Sequence, residues 1–267
     1  MAVPSPSAIR VTGLRRAGCV LTLASLLGAL PAPGAPQPGA DPLSPQRLAK
    51  ISARYLRKPY ALDCLGEGHG VDRDPLYDAR RVDCQTLVEQ VMADALSERL
   101  GSREAAVRAV RYRQSTVSLA NRFHYCLPDW LENAWPARDV TPSLPGVKLV
   151  TTRRRIDLPS LLKSRGEDPR LSSTPARDVA FRYLPRASVS KVLTALPDGS
   201  IAVFVSSRKD LMAAHLGFLF RTGEGVVLRH ASQTRRRVID EPLTAYLARA
   251  PKSSIGLVVL QPTVERL

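Results

Sequence analysis

Acidic residues are scarce in this chain. It carries 24 Asp and Glu against 39 Lys and Arg, for a formal charge of +15 and a pI near 10.3. That imbalance implies attraction to polyanions such as nucleic acid, an acidic membrane surface or an anionic cell wall; an Arg-rich solvated surface gives the same numbers. Aromatics are also sparse, at 5%. Cysteine and histidine occur four times each, and no pair of them has zinc-finger spacing, so no structural metal and no cofactor is expected. No glycine motif for phosphate lies in strand–turn–helix context, and no internal repeat or nucleic-acid recognition module is visible. No apolar run approaches the roughly 20 residues that span a membrane. Hydrophobic residues are not lacking: at 44% they suffice for a proper core and exclude global disorder.

The first 40 residues read as an address. Arg10, Arg15 and Arg16 precede a mostly apolar stretch from Cys19 to Leu30, then Pro31-Ala32-Pro33-Gly34-Ala35-Pro36. That is the order of a secretory signal peptide, with an uncleaved N-terminus as the alternative. The expected organisation is therefore a signal and Pro/Ala-rich linker over 1–40 and one domain over 41–267, in a periplasmic or secreted protein. Removing the leader leaves Cys64, Cys84 and Cys126, an odd set, so at least one thiol stays free; a Cys64–Cys126 bridge is open.

Within 41–267 the periodicity predicts a helix from Ser44 to Arg57, a glycine-punctuated loop over 61–80, a helix from Cys84 to Leu100 ended by Gly101, and another from Arg103 to Gln114. Residues 121–135 hold both tryptophans without a clear period, which suits a binding wall or a packed loop. Residues 147–152 read as a strand, and 153–198 is basic and irregular. Four strands follow, over 201–205, 213–220, 225–231 and 255–260, with a short helix over 243–250. Helices first and consecutive strands after argue for α+β, with N-terminal helices packed on a C-terminal antiparallel sheet.

One stretch organises the rest: Arg80-Arg81-Val82-Asp83-Cys84-Gln85-Thr86-Leu87-Val88-Glu89. Asp83 suits an N-cap, which places Cys84 in the first helical turn, in register with the buried stripe. The positive end of a helix dipole favours a thiolate there, the form in which sulfur is a nucleophile. A buried structural cysteine is the plain alternative.

Two of the histidines flank a predicted hairpin. Closing a four-residue loop at 221–224 puts Phe220 opposite Gly225 and His215 opposite His230, on one face. Opposed imidazoles have a use: one takes a thiol proton and the other fixes its tautomer. Two partly buried histidines satisfied by backbone are the alternative.

Asp83-Cys84-Gln85-Thr86-Leu87-Val88-Glu89 resembles the signature of the N-acetylmuramoyl-L-alanine amidase-like proteins, a branch of the NlpC-type, papain-fold cell-wall hydrolases. The resemblance takes in Pro59-Tyr60, Leu65-Gly66-Glu67-Gly68, Arg122-Phe123-His124-Tyr125, Asp129-Trp130, Asn133, His215-Leu216-Gly217-Phe218 and Leu228-Arg229-His230-Ala231-Ser232, in family order. It departs from the pattern at Leu127-Pro128, at Ser200 and in the basic segment 153–198. The resemblance implies a papain-like domain with Cys84 as nucleophile, His215 as base and His230 as third member. Tyr60 and Asp83 would line the site, and Arg122, His124 and Trp130 would contact sugar or peptide carboxylates. The expected partner is peptidoglycan or its muropeptide fragments, cut at the N-acetylmuramoyl-L-alanine amide through a thioester, with no nucleic acid and no stable membrane insertion. A stem-peptide endopeptidase of the same fold and a non-catalytic basic wall-binding protein are the alternatives.

Overall fold

Asp83 closes its helix by a reciprocal cap. Its carboxylate accepts from the Thr86 amide at 2.8 Å, and its own amide donates to the Thr86 hydroxyl at 2.8 Å. The computed structural model describes residues 41–209 and 211–267. The leader expected over 1–40 lies outside these residues.

Three helices come first: α1 (Pro45–Ala53), α2 (Cys84–Leu96) and α3 (Arg103–Arg111). The second is capped by Ser97, four residues before the expected glycine stop, and the third ends at Arg111, where Tyr112 turns extended, three residues short of the expected Gln114. A fourth helix, α4 (Cys126–Glu132), occupies the aromatic stretch that has no helical period. Its Pro128 falls in the first turn, where a missing amide costs no internal bond.

The strands are β1 (Ala137–Asp139), β2 (Val150–Ile156), β3 (Arg177–Pro185), β4 (Ser200–Ser206), β5 (Ala213–Thr222), β6 (Gly225–Ser232), β7 (Arg237–Pro242) and β8 (Ser254–Pro262). Short helices α5 (Leu158–Ser164) and α6 (Leu243–Arg249) interrupt them, as does a 3-10 segment over 186–195. The sheet runs β2-β3-β8-β4-β5-β6-β7, with β1 on β8, and each ladder is antiparallel. The fold is thus mixed helix and antiparallel sheet. The basic segment 153–198 contributes an edge hairpin, β2–β3, with α5 between its arms.

Both faces of the central strands are covered, and alternation assigns each side chain to one of them. Ile201, Val203 and Val205 meet Leu87, Val88, Val91 and Met92 of α2, together with Leu216 and Phe218 of β5. Ala202 and Phe204 face the other way, onto Val189, Val192, Leu219, Leu228 and Leu243.

The β5–β6 hairpin differs from its expected form. Thr222 pairs with Gly225, so the turn is the two residues Gly223-Glu224. Two-residue turns are the commonest hairpin connection, because their backbone twist matches that of the paired strands. The register therefore moves by two: Phe218 pairs with Arg229, and continuing the ladder sets Gly217, not His215, opposite His230. An even shift preserves the face of every side chain.

Candidate active site

That shift makes Gly217 indispensable. A Cβ there would lie 2.9 Å from the His230 Cβ and 2.7 Å from the Arg229 carbonyl oxygen, so only glycine fits. The two imidazoles then meet diagonally. His215 Nε2 and His230 Nδ1 are 2.6 Å apart, with the rings edge-on at 88°. His230 Nε2 lies 2.6 Å from Glu241 Oε1 on β7, and Arg249 of α6 clamps the same carboxylate.

The carboxylate fixes the protons along this chain. Glu241 accepts, so neutral His230 carries its hydrogen on Nε2 and accepts at Nδ1. His215 must then donate from Nε2, which leaves the lone pair of its Nδ1 available as a base. Burial pulls His215 down to about 3, with His230 and Arg249 adding to the effect. His230 is lowered by burial, against the pull of Glu241. Glu241 is raised by burial, but its bonds to Arg249 and His230 hold it below the ordinary carboxylate value.

Tyr246 of α6 packs on both rings. It stacks on His215 at 5.5 Å and 23°, and meets His230 at 5.4 Å. Its phenol is raised by burial first and by the Cys84 sulfur second, so one side chain touches both imidazoles and senses the thiol.

Cys84 opens α2. The backbone amides of Leu216, Cys84 and Gln85 each pull the pKa of its thiol down, and Leu216 is the residue that follows His215. Burial, and then the Asp83 carboxylate, nevertheless push the thiol up to about 12. This reverses the expectation of a resting thiolate: desolvation of a charged sulfur outweighs the helix dipole and the three amides. The resting site holds a neutral thiol and neutral imidazoles.

The sulfur opens on a cleft of about 650 Å³, which Tyr60, Gln85, His124, Leu216 and Gln233 also line. His215 and His230 lie on the other side of β5, with Phe204. Substrate and base would thus reach the sulfur from different directions. Tyr60 is nearly buried beside the thiol, and burial followed by the Cys84 charge pushes its phenol up to about 12.

The remaining candidates divide. Asp83 faces the cleft but is spent on its cap and on the Asp63 amide. Arg122 also lines the cleft, yet its guanidinium donates to Glu67 Oε1 at 2.6 Å and to Asp72 Oδ2 at 2.5 Å, so the expected substrate contact is replaced by an internal one. His124 Nε2 donates to the Leu119 carbonyl at 2.7 Å, and burial pulls the ring down to about 3, so it offers no charge to a carboxylate. Trp130 is removed from the site altogether: it is fully buried and stacks on Trp135 at 4.0 Å and 8°. Cys64, Cys84 and Cys126 are all free thiols, which answers the disulfide question.

Glu241 and Tyr246 escape the sequence reading. Arginines crowd β7 and hide its Val238-Ile239 core, the one signal that a further strand follows the hairpin. Tyr246 sits in the predicted short helix, but nothing local points it at a histidine.

A family model described as AmiA-like, N-acetylmuramoyl-L-alanine amidase-like, matches residues 50–256. No curated protein matches the chain. Among solved structures, a Legionella pneumophila protein is 22% identical over 84% of this chain and 90% of its own, with a TM-score of 0.71. An N-acetylmuramoyl-L-alanine amidase from Bacteroides uniformis is 26% identical over 82% of this chain and 98% of its own, with a TM-score of 0.64. Among the described residues, no helix is long and apolar enough to cross a membrane.

Proposed function

The chain belongs to the N-acetylmuramoyl-L-alanine amidase-like family, and on that premise we propose that it is a cysteine amidase of peptidoglycan with an NlpC-type, papain-like arrangement. The bond we assign is the amide between N-acetylmuramic acid and L-alanine. The leader-like segment 1–40 makes the periplasm or the exterior the proposed place of action. The observation that carries the reading is the Glu241–His230–His215 chain, which ends in an imidazole lone pair on the residue before Leu216, whose backbone amide lowers the pKa of the Cys84 thiol.

In the proposed cycle, substrate enters the cleft with its carbonyl carbon over Cys84. His215 Nδ1 takes the thiol proton as the C–S bond forms, and the imidazolium is stabilised through His230 by Glu241. The backbone amides that lower the thiol pKa offset part of the charge that burial penalises, and the Cys84 amide at the helix start is the proposed donor for the oxyanion. His215 returns the proton to the leaving amine, and a thioester remains. Water, deprotonated by His215, releases the acid and restores the thiol.

The test is digestion of muropeptides by wild type and by Cys84→Ala, with product masses. Separate sugar and L-alanyl peptide from wild type, with an inert variant, support the reading. Full activity in the variant, or activity abolished by a chelator alone, ends it. A basic wall-binding protein with an idle cysteine is the second reading, favoured by the protonated resting thiol. It requires that Cys84 resist alkylation at every pH at which the protein stays folded.

A further inference from the structure

The turn between β6 and β7 and the first residue of β7 carry three consecutive exposed arginines, Arg235, Arg236 and Arg237. Arg57 and Lys58 stand beside them, although nearly 180 positions separate the two segments in the chain. Backbone bonds fix this pairing. The Arg57 amide donates to Val238 at 2.9 Å, Val238 donates to Lys58 at 2.9 Å, and Tyr60 donates to Arg236 at 3.0 Å. Arg57 and Arg236 both adopt left-handed backbone, φ 68° and 56°, where glycine is the unstrained choice. The fold thus holds arginine where conformation favours its absence, and such strain collects at functional surfaces.

These cations are also unneutralised. Some surface arginines have carboxylate partners, Arg47 with Glu98, Arg103 with Asp94, Arg108 with Glu104 and Arg177 with Glu132, whereas Arg54, Arg73 and Arg99 stand apart from one another without one. Among the described residues, Arg57, Lys58, Arg235 and Arg237 have no carboxylate partner, and Arg236 lies over the Tyr60 ring at 5.8 Å. The group adjoins the cleft directly, because Tyr60 and Gln233 line both. Five positive charges on one lip of a concave site concentrate field there.

We infer that this basic shelf docks the carboxylate-bearing peptide part of the substrate, an acidic peptide whose scissile end lies over Cys84. The inference rests on the amidase reading for the identity of that peptide. Arginine forks suit carboxylates geometrically. A poly(glycerol phosphate) chain is the competing polyanion; it carries no amide to place over Cys84.

The experiment measures binding calorimetrically on Cys84→Ala protein at low salt. The probes are a muropeptide with free carboxylates, the same muropeptide with its carboxylates amidated, and a poly(glycerol phosphate) chain. We expect the free acid to bind roughly tenfold more tightly than the amide, falling with added salt. Arg235→Glu with Arg237→Glu removes that difference, and Lys191→Glu on the 3-10 segment retains it. If charge reversal disturbs the turn, Arg235→Gln with Arg237→Gln gives a partial loss in the same direction. Equal binding of acid and amide, indifference to the arginine changes, or tighter binding of the phosphate polymer overturns the shelf. Absent turnover by wild type, with charge-dependent peptide binding intact, supports the shelf and removes the amidase reading.

Discussion

Two buried polar clusters flank the cleft region, and they differ in how they end. In the first, Arg111 donates to Glu89 at 3.0 Å and to the carbonyls of Gly66, Leu76 and Leu65, while Arg122 is shared by Glu67 and Asp72. Its guanidinium hydrogens find acceptors inside the protein, which is the condition under which buried charge is tolerated. In the second, Glu241, His230 and His215 form a chain anchored at one end by Arg249, and the other end is the lone pair of His215 Nδ1. A closed cluster holds a loop in place. An open one can move a proton. Both contain residues that read as site residues in the sequence, and satisfaction of hydrogen bonds separates them.

The largest effect expected from breaking the open cluster is His215→Ala, which lowers kcat/KM by about 10²–10⁴-fold while the melting temperature moves little. Initial rates on a muropeptide and a thermal melt check both halves, and a loss of less than about threefold would remove His215 from catalysis. The closed cluster responds in the opposite way. Arg122→Ala strands Glu67 and Asp72 and costs about 3–5 kcal/mol of stability, as a buried pair does when one partner is lost. Denaturant unfolding measures this, and a stability unchanged within error would show that Arg122 is free to meet substrate after all.

A smaller effect sharpens the comparison. Tyr246→Ala removes the ring stacked on His215 and His230, a contact of about 0.5–1.5 kcal/mol, and lowers kcat/KM by several-fold. Tyr246→Phe keeps the stack and retains most of the activity. Equal losses in the two variants would move the role from the ring to the hydroxyl.

A further effect, on stability and not on rate, is in pH. Burial holds His124 and His215 at about 3 rather than the ordinary 6.5. Below about pH 6.5 the unfolded chain takes up protons that the folded protein refuses. The contribution of these groups is therefore present above that pH and is lost as pH falls toward about 3. Melting temperature declines across this window, and His124→Gln, which keeps a donor for the Leu119 carbonyl, makes the decline shallower. An unchanged slope in that variant would contradict the burial of a neutral His124.

The contrast also explains what could be read in advance. Asp83, Thr86 and the apolar stripe of α2 signal their helix locally, because capping and periodicity are short-range. Four of the strands are equally plain, since Val, Ile and Phe alternate along them. β3 and β7 are hidden by arginines, and α4 by a proline in its first turn. The meeting of His215 and His230 follows from face, which survives a shift of two in register; the pairing partner does not. Arg122 and Trp130 were legible as unusual residues, but whether a buried arginine meets a substrate or an internal Glu67 depends on where a loop 55 residues away returns. Glu241 and Tyr246 depend on the same long-range closure.

The central claim is covalent chemistry at Cys84 driven by the open chain. It is tested most directly by acid-quenching the protein during turnover of a muropeptide and weighing the peptide that contains Cys84. The account predicts a muramoyl thioester on that sulfur, absent from Cys84→Ala. Turnover with no adduct on Cys84 under conditions that slow deacylation, or an adduct carried on another residue, would contradict it.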